Sequence, residues 1–355
     1  MKSNKTEDYI VYDRSDIDAP DLSIIVPVYN MAGNGYLKDF FNSLYSGGQV
    51  SFELICVDDC STDNTLQILK DYAQKKTNMT LLSMKRNSKQ GAARNRGLDV
   101  AQGRYIGFMD PDDFISPGYY KSLVEYADKH KCDVVASSYQ YTNELGHPDG
   151  KAVVPYPASC LGLIDQKSLK EILLLECPIC SCIYLRSIFE SADSRFPEHV
   201  YFEDNAARIH WKLKFCKLGQ VPDAVYYWRR YNSSTTALSL SDPSKIKDRI
   251  ITSRLILTQA KADGYYYQYQ EELDFLFIRL GVFNTLNSMW KLGKQTRKQF
   301  AAEVKALIKS NVPHYYAIIY IRKLPFVMRA KYLLCCWSPN LALKMMDLLN
   351  IFKKH

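Results

Sequence analysis

Two aspartate clusters, each set directly after a short apolar run, constrain this chain more than any other feature. Asp58-Asp59 follows Phe52–Val57 (FELICV), and 52 positions further on Asp110-Pro111-Asp112-Asp113 follows Arg104–Met109 (RYIGFM). Near-continuous apolar runs of this length suit strands buried on both faces, as in a parallel sheet between helices. Carboxylates at the C-terminal ends of such strands stand where open α/β sheets bind their ligands. Packed together, they repel one another and lose hydration, so a fold retains them only beside a cation or a set of donors. Hard oxygen ligands of this kind suit Mg2+ or Mn2+, commonly shared with a substrate phosphate. The expectation is an enzyme that handles a metal-bound nucleotide diphosphate.

The flanking pattern supports the sheet. Leu22–Val28 (LSIIVPV) reads as a buried parallel strand, and Tyr36–Leu44 as a helix with Leu37, Phe40, Phe41 and Leu44 on one face. A helix is expected to start at Ser61/Thr62, capped by those hydroxyls and Asp63. Thr80–Met84, Tyr105–Met109 and Asp133–Ser137 read as strands, and Gly91–Ala101 and a segment from Pro117 to about Lys129 as helices. Strands alternating with helices give an α/β fold, a mostly parallel sheet flanked by helices. After the first strand comes Pro27-Val28-Tyr29-Asn30-Met31-Ala32-Gly33-Asn34-Gly35, which lacks the G-x-G-x-x-G of a dinucleotide site. Beyond about Ser241 strand signals fade and helical stretches rich in Tyr, Leu, Ile and Lys/Arg take over. The expected organisation is an N-terminal extension (1–20), a catalytic domain (21–238) and a helical, basic, amphipathic C-terminal region (239–355), with a boundary near Thr236–Asp242.

An apolar content of 47% supplies a core. Met1–Pro20 has no apolar signal region, and no uncharged apolar stretch reaches about 18 residues, so a cytoplasmic chain without a span is expected. Among ten cysteines, Cys56, Cys132 and Cys216 read as small buried hydrophobes. Cys177, Cys180 and Cys182 are closer together but lack the matching Cys or His pair of a zinc site. The net charge of +8 sits in the tail, where Ser288–His355 carries 13 Lys and Arg against Glu303 and Asp347.

The first half resembles the family-2 glycosyltransferases, inverting nucleotide-sugar enzymes of the GT-A fold and, here, of bacterial surface-polysaccharide type. The likeness rests on four blocks in family order: Ser23–Asn30 (SIIVPVYN), Glu53–Asp63 (ELICVDDCSTD), Gly91–Leu98 (GAARNRGL) and Gly103–Asp113 (GRYIGFMDPDD). It covers about Leu22–Phe114 closely and about Asp133–Thr236 more loosely. The resemblance implies that Pro27 and Tyr29 flank the nucleobase beside Asn30, with Tyr29 stacking. It implies that Asp59 or Asp58 accepts the uracil N3–H, and that Arg94 and Asn95 lie near base and ribose. Asp110 would face ribose and metal, and Asp112 would ligate the divalent ion bridging the phosphates. Each residue also has a structural alternative: Tyr29 as a core-edge aromatic, Arg94 as a solvated helix charge, Asp58 or Asp63 as a helix cap, Asp113 as ligand or cap.

An inverting transfer needs a carboxylate to take the acceptor hydroxyl's proton. Glu203-Asp204, opening a helix over about Asp204–Phe215, resembles the family's Glu-Asp pair, with Asp204 as base and Glu203 orienting it or contacting the acceptor. A carboxylate there also caps a helix and meets its dipole. Downstream, Tyr227–Thr235 (YWRRYNSST) resembles the family's aromatic-Arg loop, with Arg229 and Arg230 closing on the diphosphate as a lid. Cys180–Tyr184 departs from the family pattern on the acceptor side. In the tail, Tyr315, Tyr316, Tyr320, Phe326 and Trp337 interleave with Arg322, Lys323, Arg329 and Lys331, which suits an anionic inner leaflet or packing against the chain's own domain. No nucleic-acid motif is present. Together these imply transfer from a UDP-sugar to a hydroxyl of a saccharide or lipid-linked saccharide, at the inner face of the cell membrane. The alternative is a nucleotide-sugar-binding partner without turnover in a membrane-associated complex.

Overall fold

A computed structural model describes residues 8–13, 15–48, 50–231, 242–289 and 292–352, with the side chains of 349–352 outside the description. These residues form two compact units. The first comprises the described residues up to His199 together with Trp211–Tyr231; the second comprises Val200–His210 and the described residues from Asp242 onward. The expected boundary near Thr236–Asp242 falls largely outside the described residues.

The first unit is built on one sheet of eleven strands: β1 (Tyr9–Asp13), β2 (Leu22–Val28), β3 (Phe52–Asp58), β4 (Met79–Met84), β5 (Tyr105–Phe108), β6 (Phe114–Ile115), β7 (Val134–Thr142), β8 (Pro148–Val153), β9 (Gly162–Leu163), β10 (Cys182–Leu185) and β11 (Lys217–Arg229). Their order is β1-β4-β3-β2-β5-β10-β7-β11-β6, with β8 on β7 and β9 on β11. The centre β4-β3-β2-β5 is parallel, as is β7-β11, while β10 enters antiparallel between β5 and β7. Every residue of β2, β3 and β4 is buried, which is why these strands read as unbroken apolar runs rather than alternating ones.

Helices α1 (Tyr36–Leu44), α2 (Thr65–Ala73), α3 (Lys89–Val100), α4 (Tyr119–His130) and α5 (Gln166–Leu174) flank the sheet. The expected α1 and β2 match the observed limits. The expected start at Ser61/Thr62 does not: α2 begins at Thr65, because those two hydroxyls bond Asn30 instead. Asp63 still serves that helix, accepting from Thr65 N at 2.9 Å. Helix α3 lies unusually close to β2 because Gly97 faces it, and a Cβ there would stand 2.4 Å from Ile25 Cγ2. An aromatic cluster of Phe108, Tyr184, Phe189, Phe196 and Trp211 fills the space beside β5, with Phe108 stacked on Trp211 at 5.7 Å between centroids. The residues between Met1 and Pro20, taken as a plain extension, contain β1, paired antiparallel to β4. Cys216 is exposed rather than buried; it sits in the turn before β11, where its backbone N–H binds Asp133.

The second unit is helical. It contains the start of α6 (Glu203–Lys212), then α7 (Pro243–Ala262), α8 (Gln270–Phe277) running through a π-helical stretch (Ile278–Phe283) into α9 (Asn284–Ser288), α10 (Lys294–Asn311), α11 (Ile319–Arg322), α12 (Phe326–Trp337) and α13 (Pro339–Phe352). Asp242 caps α7, accepting from Ser244 N at 2.9 Å, with Pro243 in the first turn. Among the described residues no helix is long and apolar enough to cross a membrane.

Candidate active site

The C-terminal ends of β2, β3 and β5 meet in the first unit, and their loops are welded together by side chains. Asn30, in a left-handed conformation (φ 51°), accepts from Thr62 N at 2.8 Å and gives its amide to Thr62 Oγ1 at 3.1 Å, while its own N–H binds Ser61 Oγ. Asn30 therefore fixes the geometry of the two loops around Tyr29. Tyr29 itself is 44% exposed directly after buried Pro27 and Val28, leaving its ring face open to a ligand.

Asp58 and Asp59 divide the work. Both oxygens of Asp58 receive Ser61 N at 3.3 Å, and Oδ2 also takes Ser83 Oγ at 3.2 Å, so this side chain closes its own turn. Asp59 is buried and accepts Ser88 N at 2.7 Å through Oδ1. Burial pushes its carboxyl up to about 6, offset in part by the N–H donors of Ser88 and Lys89.

Arg94 is buried, not a solvated helix charge, and its guanidinium reaches Asp110 Oδ1 at 2.8 Å. Asn95 is engaged by the chain itself. Its amide donates to Phe196 O at 2.9 Å and Glu198 Oε1 at 3.0 Å, and its oxygen accepts from Phe196 N at 2.9 Å. A side chain with both ends committed to a neighbouring backbone is a clamp, here on the segment leading to Glu203-Asp204.

The Asp110–Asp113 turn is gripped by the end of β11. Asp113 is buried, accepting from Tyr226 Oη at 2.7 Å and from Arg229 N at 2.8 Å. Both of its oxygens therefore tie this turn to β11. Arg229, expected in a lid, is 3% exposed, and its guanidinium is spent on Asp112 O (2.8 Å), Glu144 O (2.8 Å) and Asp39 Oδ2 (2.9 Å), between the rings of Tyr36 and Phe114. All three nitrogens of this guanidinium are thus engaged within the first unit. Arg230 is exposed, with its guanidinium 3.3 Å over the Tyr141 ring. The Asn232–Thr235 part of the expected loop lies outside the described residues.

Asp112 accepts from Tyr231 Oη at 2.8 Å. Burial, then repulsion from Asp110, pushes its carboxyl up to about 6, the direction expected for a carboxylate short of positive charge. Asp110 and Asp112 thus offer a hard cation oxygen ligands and a local need for its charge, and the donor set fits Mg2+ or Mn2+. Sequence reasoning passed over Tyr226, Tyr231, Asp39 and Glu144; only Tyr231 sat in a segment the motif had marked.

Glu203 and Asp204 open α6, Glu203 buried and Asp204 half-buried. In the same unit Arg249 of α7 is the electrostatic neighbour of Asp204 and lies 3.9 Å from the Phe202 ring centroid.

Residues 23–191 match the model of glycosyl transferase family 2. The minor teichoic acid biosynthesis protein GgaB of Bacillus subtilis is 29% identical over 230 residues, 63% of this chain and 25% of that protein. The poly(ribitol-phosphate) beta-N-acetylglucosaminyltransferase TarS of Staphylococcus aureus is 29% identical over 215 residues, 58% of this chain and 35% of that protein. The match thus spans only a quarter to about a third of the length of these relatives. The crystal structure of S. aureus TarS 1–349 in complex with UDP-GlcNAc has a TM-score of 0.64 at 21% identity, covering 89% of this chain and 87% of that one. That likeness establishes the fold: a GT-A-type mixed sheet flanked by helices, followed by a helical C-terminal region.

Proposed function

We propose, from the premise that this chain belongs to glycosyl transferase family 2 through its residues 23–191, that it is a metal-dependent inverting glycosyltransferase using a UDP-sugar. The observation that carries the reading is the Asp110–Asp112 pair at the end of β5, half-buried, mutually repelling and held in place by Arg94, Tyr226, Arg229 and Tyr231. Such a turn costs the fold stability and is explained by a cation that arrives with a diphosphate.

In this reading Tyr29 stacks on uracil. Asp59, rather than the internally committed Asp58, accepts the N3–H. Asp110 and Asp112 hold Mn2+ or Mg2+, and Arg94 keeps Asp110 oriented. When bound, the metal supplies Lewis-acid charge to the leaving diphosphate. Arg230 remains as the exposed cation of the loop. Asp204 removes the acceptor hydroxyl's proton as that oxygen attacks the anomeric carbon, with Glu203 beside it at the start of α6. Teichoic acid enzymes among the relatives favour a surface-polysaccharide acceptor, polyol-phosphate or lipid-linked.

A UDP-release assay across UDP-sugars, with and without Mn2+, tests the assignment. Asp112→Ala and Asp204→Asn are both expected to lose transfer, and only Asp112→Ala to lose the metal-assisted part of UDP binding. Equal metal-assisted UDP binding by wild type and Asp112→Ala refutes the ligand assignment.

The second unit supports a peripheral place on the inner face of the cell membrane. Phe326, Val327 and Trp337 of α12 are 75%, 63% and 64% exposed, and Leu341, Met345 and Leu348 of α13 also face outward. Arg322, Lys323, Lys331 and Lys344 border them, and Asp347, the local acid, is paired with Arg297. Apolar side chains with a cationic border suit an anionic bilayer, at roughly 1 kcal/mol per near-surface Lys or Arg. Tyr320 does not belong to this face, because its hydroxyl binds Glu272 at 2.6 Å. Phe326→Glu with Trp337→Glu is expected to abolish sedimentation with phosphatidylglycerol vesicles; undiminished sedimentation, or an oligomer that the double variant dissolves, refutes the membrane face.

A further inference from the structure

The stretch just ahead of Asp204 is held by the first turns of α7. Tyr201 N donates to Asp248 Oδ2 at 3.0 Å, Lys245 Nζ stands 4.7 Å over the Tyr201 ring, and the Arg249 guanidinium stacks on Phe202, a residue in the left-handed region at φ 63°. Stacking uses the face of the guanidinium and leaves its N–H edge open. The buried Nε of Arg249 makes no hydrogen bond among the described residues. Burial holds this arginine down to about 10, and the Asp204 carboxylate only partly offsets that. Arg208, one turn after Asp204 on α6, repeats the pattern: it donates to Asn205 Oδ1 at 2.9 Å, while its buried Nε has no partner among the described residues.

Half-buried cations with a buried, unused Nε are costly to keep, and a site meant only to orient a carboxylate would pair them with it directly. The planar N–H edge of arginine matches a phosphate oxygen pair better than it matches any neutral group.

We infer that Arg249, the electrostatic neighbour of Asp204, forms with Arg208, one turn along α6 from Asp204, a receiving site for a phosphate ester carried by the acceptor. The inference rests on Asp204 being the base. The base is where the acceptor hydroxyl must arrive, whereas the donor diphosphate would have its own charge partner in the cation that Asp110 and Asp112 hold in this reading. An acceptor built of phosphate-linked units would place one phosphate here while its neighbouring hydroxyl faces Asp204. The acceptor's charge thereby selects it over a neutral sugar of the same shape.

The test uses the whole protein and sn-glycerol 3-phosphate as probe, titrated by calorimetry or NMR beside glycerol and UDP. Wild type is expected to bind glycerol 3-phosphate saturably and glycerol not at all. Arg249→Gln should weaken the phosphate probe by at least about tenfold, as for loss of a bidentate charged pair, with UDP affinity unchanged. Arg249→Lys keeps the charge and guards against misfolding, and should fall between the two. Failure of wild type to bind the probe, or equal binding by Arg249→Gln, overturns the inference. A matching loss of UDP affinity also overturns it, by moving the guanidinium to the donor diphosphate. Asp204→Asn separates the two readings: if that variant still transfers sugar, the base assignment fails whatever the probe does, and if it is inactive while Arg249→Gln binds phosphate normally, only the phosphate site fails.

Discussion

Replacing Arg229 with Met separates a lid from a scaffold, because the two readings predict opposite signatures. Met keeps most of the aliphatic stem and removes the guanidinium. Two charged-donor hydrogen bonds are lost, to Asp112 O and Glu144 O, both at 2.8 Å. At about 1.5 kcal/mol each, the low end for bonds to charged groups, they amount to about 3 kcal/mol. The Asp39 ion pair at 2.9 Å adds little, since that carboxylate is 53% exposed and screened by water, and is worth at most about 0.5 kcal/mol. The Tyr36 ring, 4.4 Å away, adds roughly another 0.5 kcal/mol. A total near 4 kcal/mol corresponds to a fall of about 8–16 °C in the melting temperature for a unit of this size. Thermal unfolding followed by circular dichroism, without ligands, reads that shift directly. A variant that melts within about 2 °C of wild type yet loses most of its turnover would refute the scaffold reasoning and restore a mobile arginine.

Three further outcomes follow from named contacts. Asp59 titrates near 6 because it is buried, so with metal absent UDP affinity should be full above that pH and decline as pH falls through it, when the acid is protonated. Asp59→Asn should bind weakly at every pH, and a wild-type profile flat from pH 5 to about 8 would contradict the uracil assignment. Gly97→Ala puts a methyl 2.4 Å from Ile25 Cγ2, and overpacking of about 1–3 kcal/mol should exceed the gain of about 1 kcal/mol in helix propensity. Urea denaturation measures it, and unchanged stability would mean α3 gives way without cost. Asn95→Ala frees Phe196 and Glu198, so turnover should fall while UDP affinity holds; a selective loss of UDP affinity would return Asn95 to the nucleotide.

What could be read in advance was whatever depends on neighbours along the chain. The buried strands Leu22–Val28 and Phe52–Asp58, helix Tyr36–Leu44 and the aspartates at strand ends follow from local apolar patterning, because parallel strands covered on both faces tolerate few polar residues. The four motif blocks are local in the same sense: three end a buried strand and run into its following turn, and the fourth lies within α3.

The roles of individual polar side chains were decided elsewhere. Arg229 and Arg230 are adjacent in sequence and look interchangeable. β11 pairs in parallel with β7 and turns one arginine inward onto Asp112 and Glu144 and its neighbour outward onto Tyr141. Asp112 and Asp113 part in the same way, one meeting Tyr231 and the other Tyr226 and the Arg229 backbone. Asn95 sits in a motif block whose resemblance implies a nucleotide contact, and both ends of its amide are engaged by a segment about a hundred residues away. Residue order alone determined that a carboxylate-edged α/β sheet would form, since hydrophobic patterning acts at short range. Which carboxylate, arginine or amide stays free for chemistry was settled only by tertiary packing, because a polar side chain's role depends on which distant donors and acceptors reach it first.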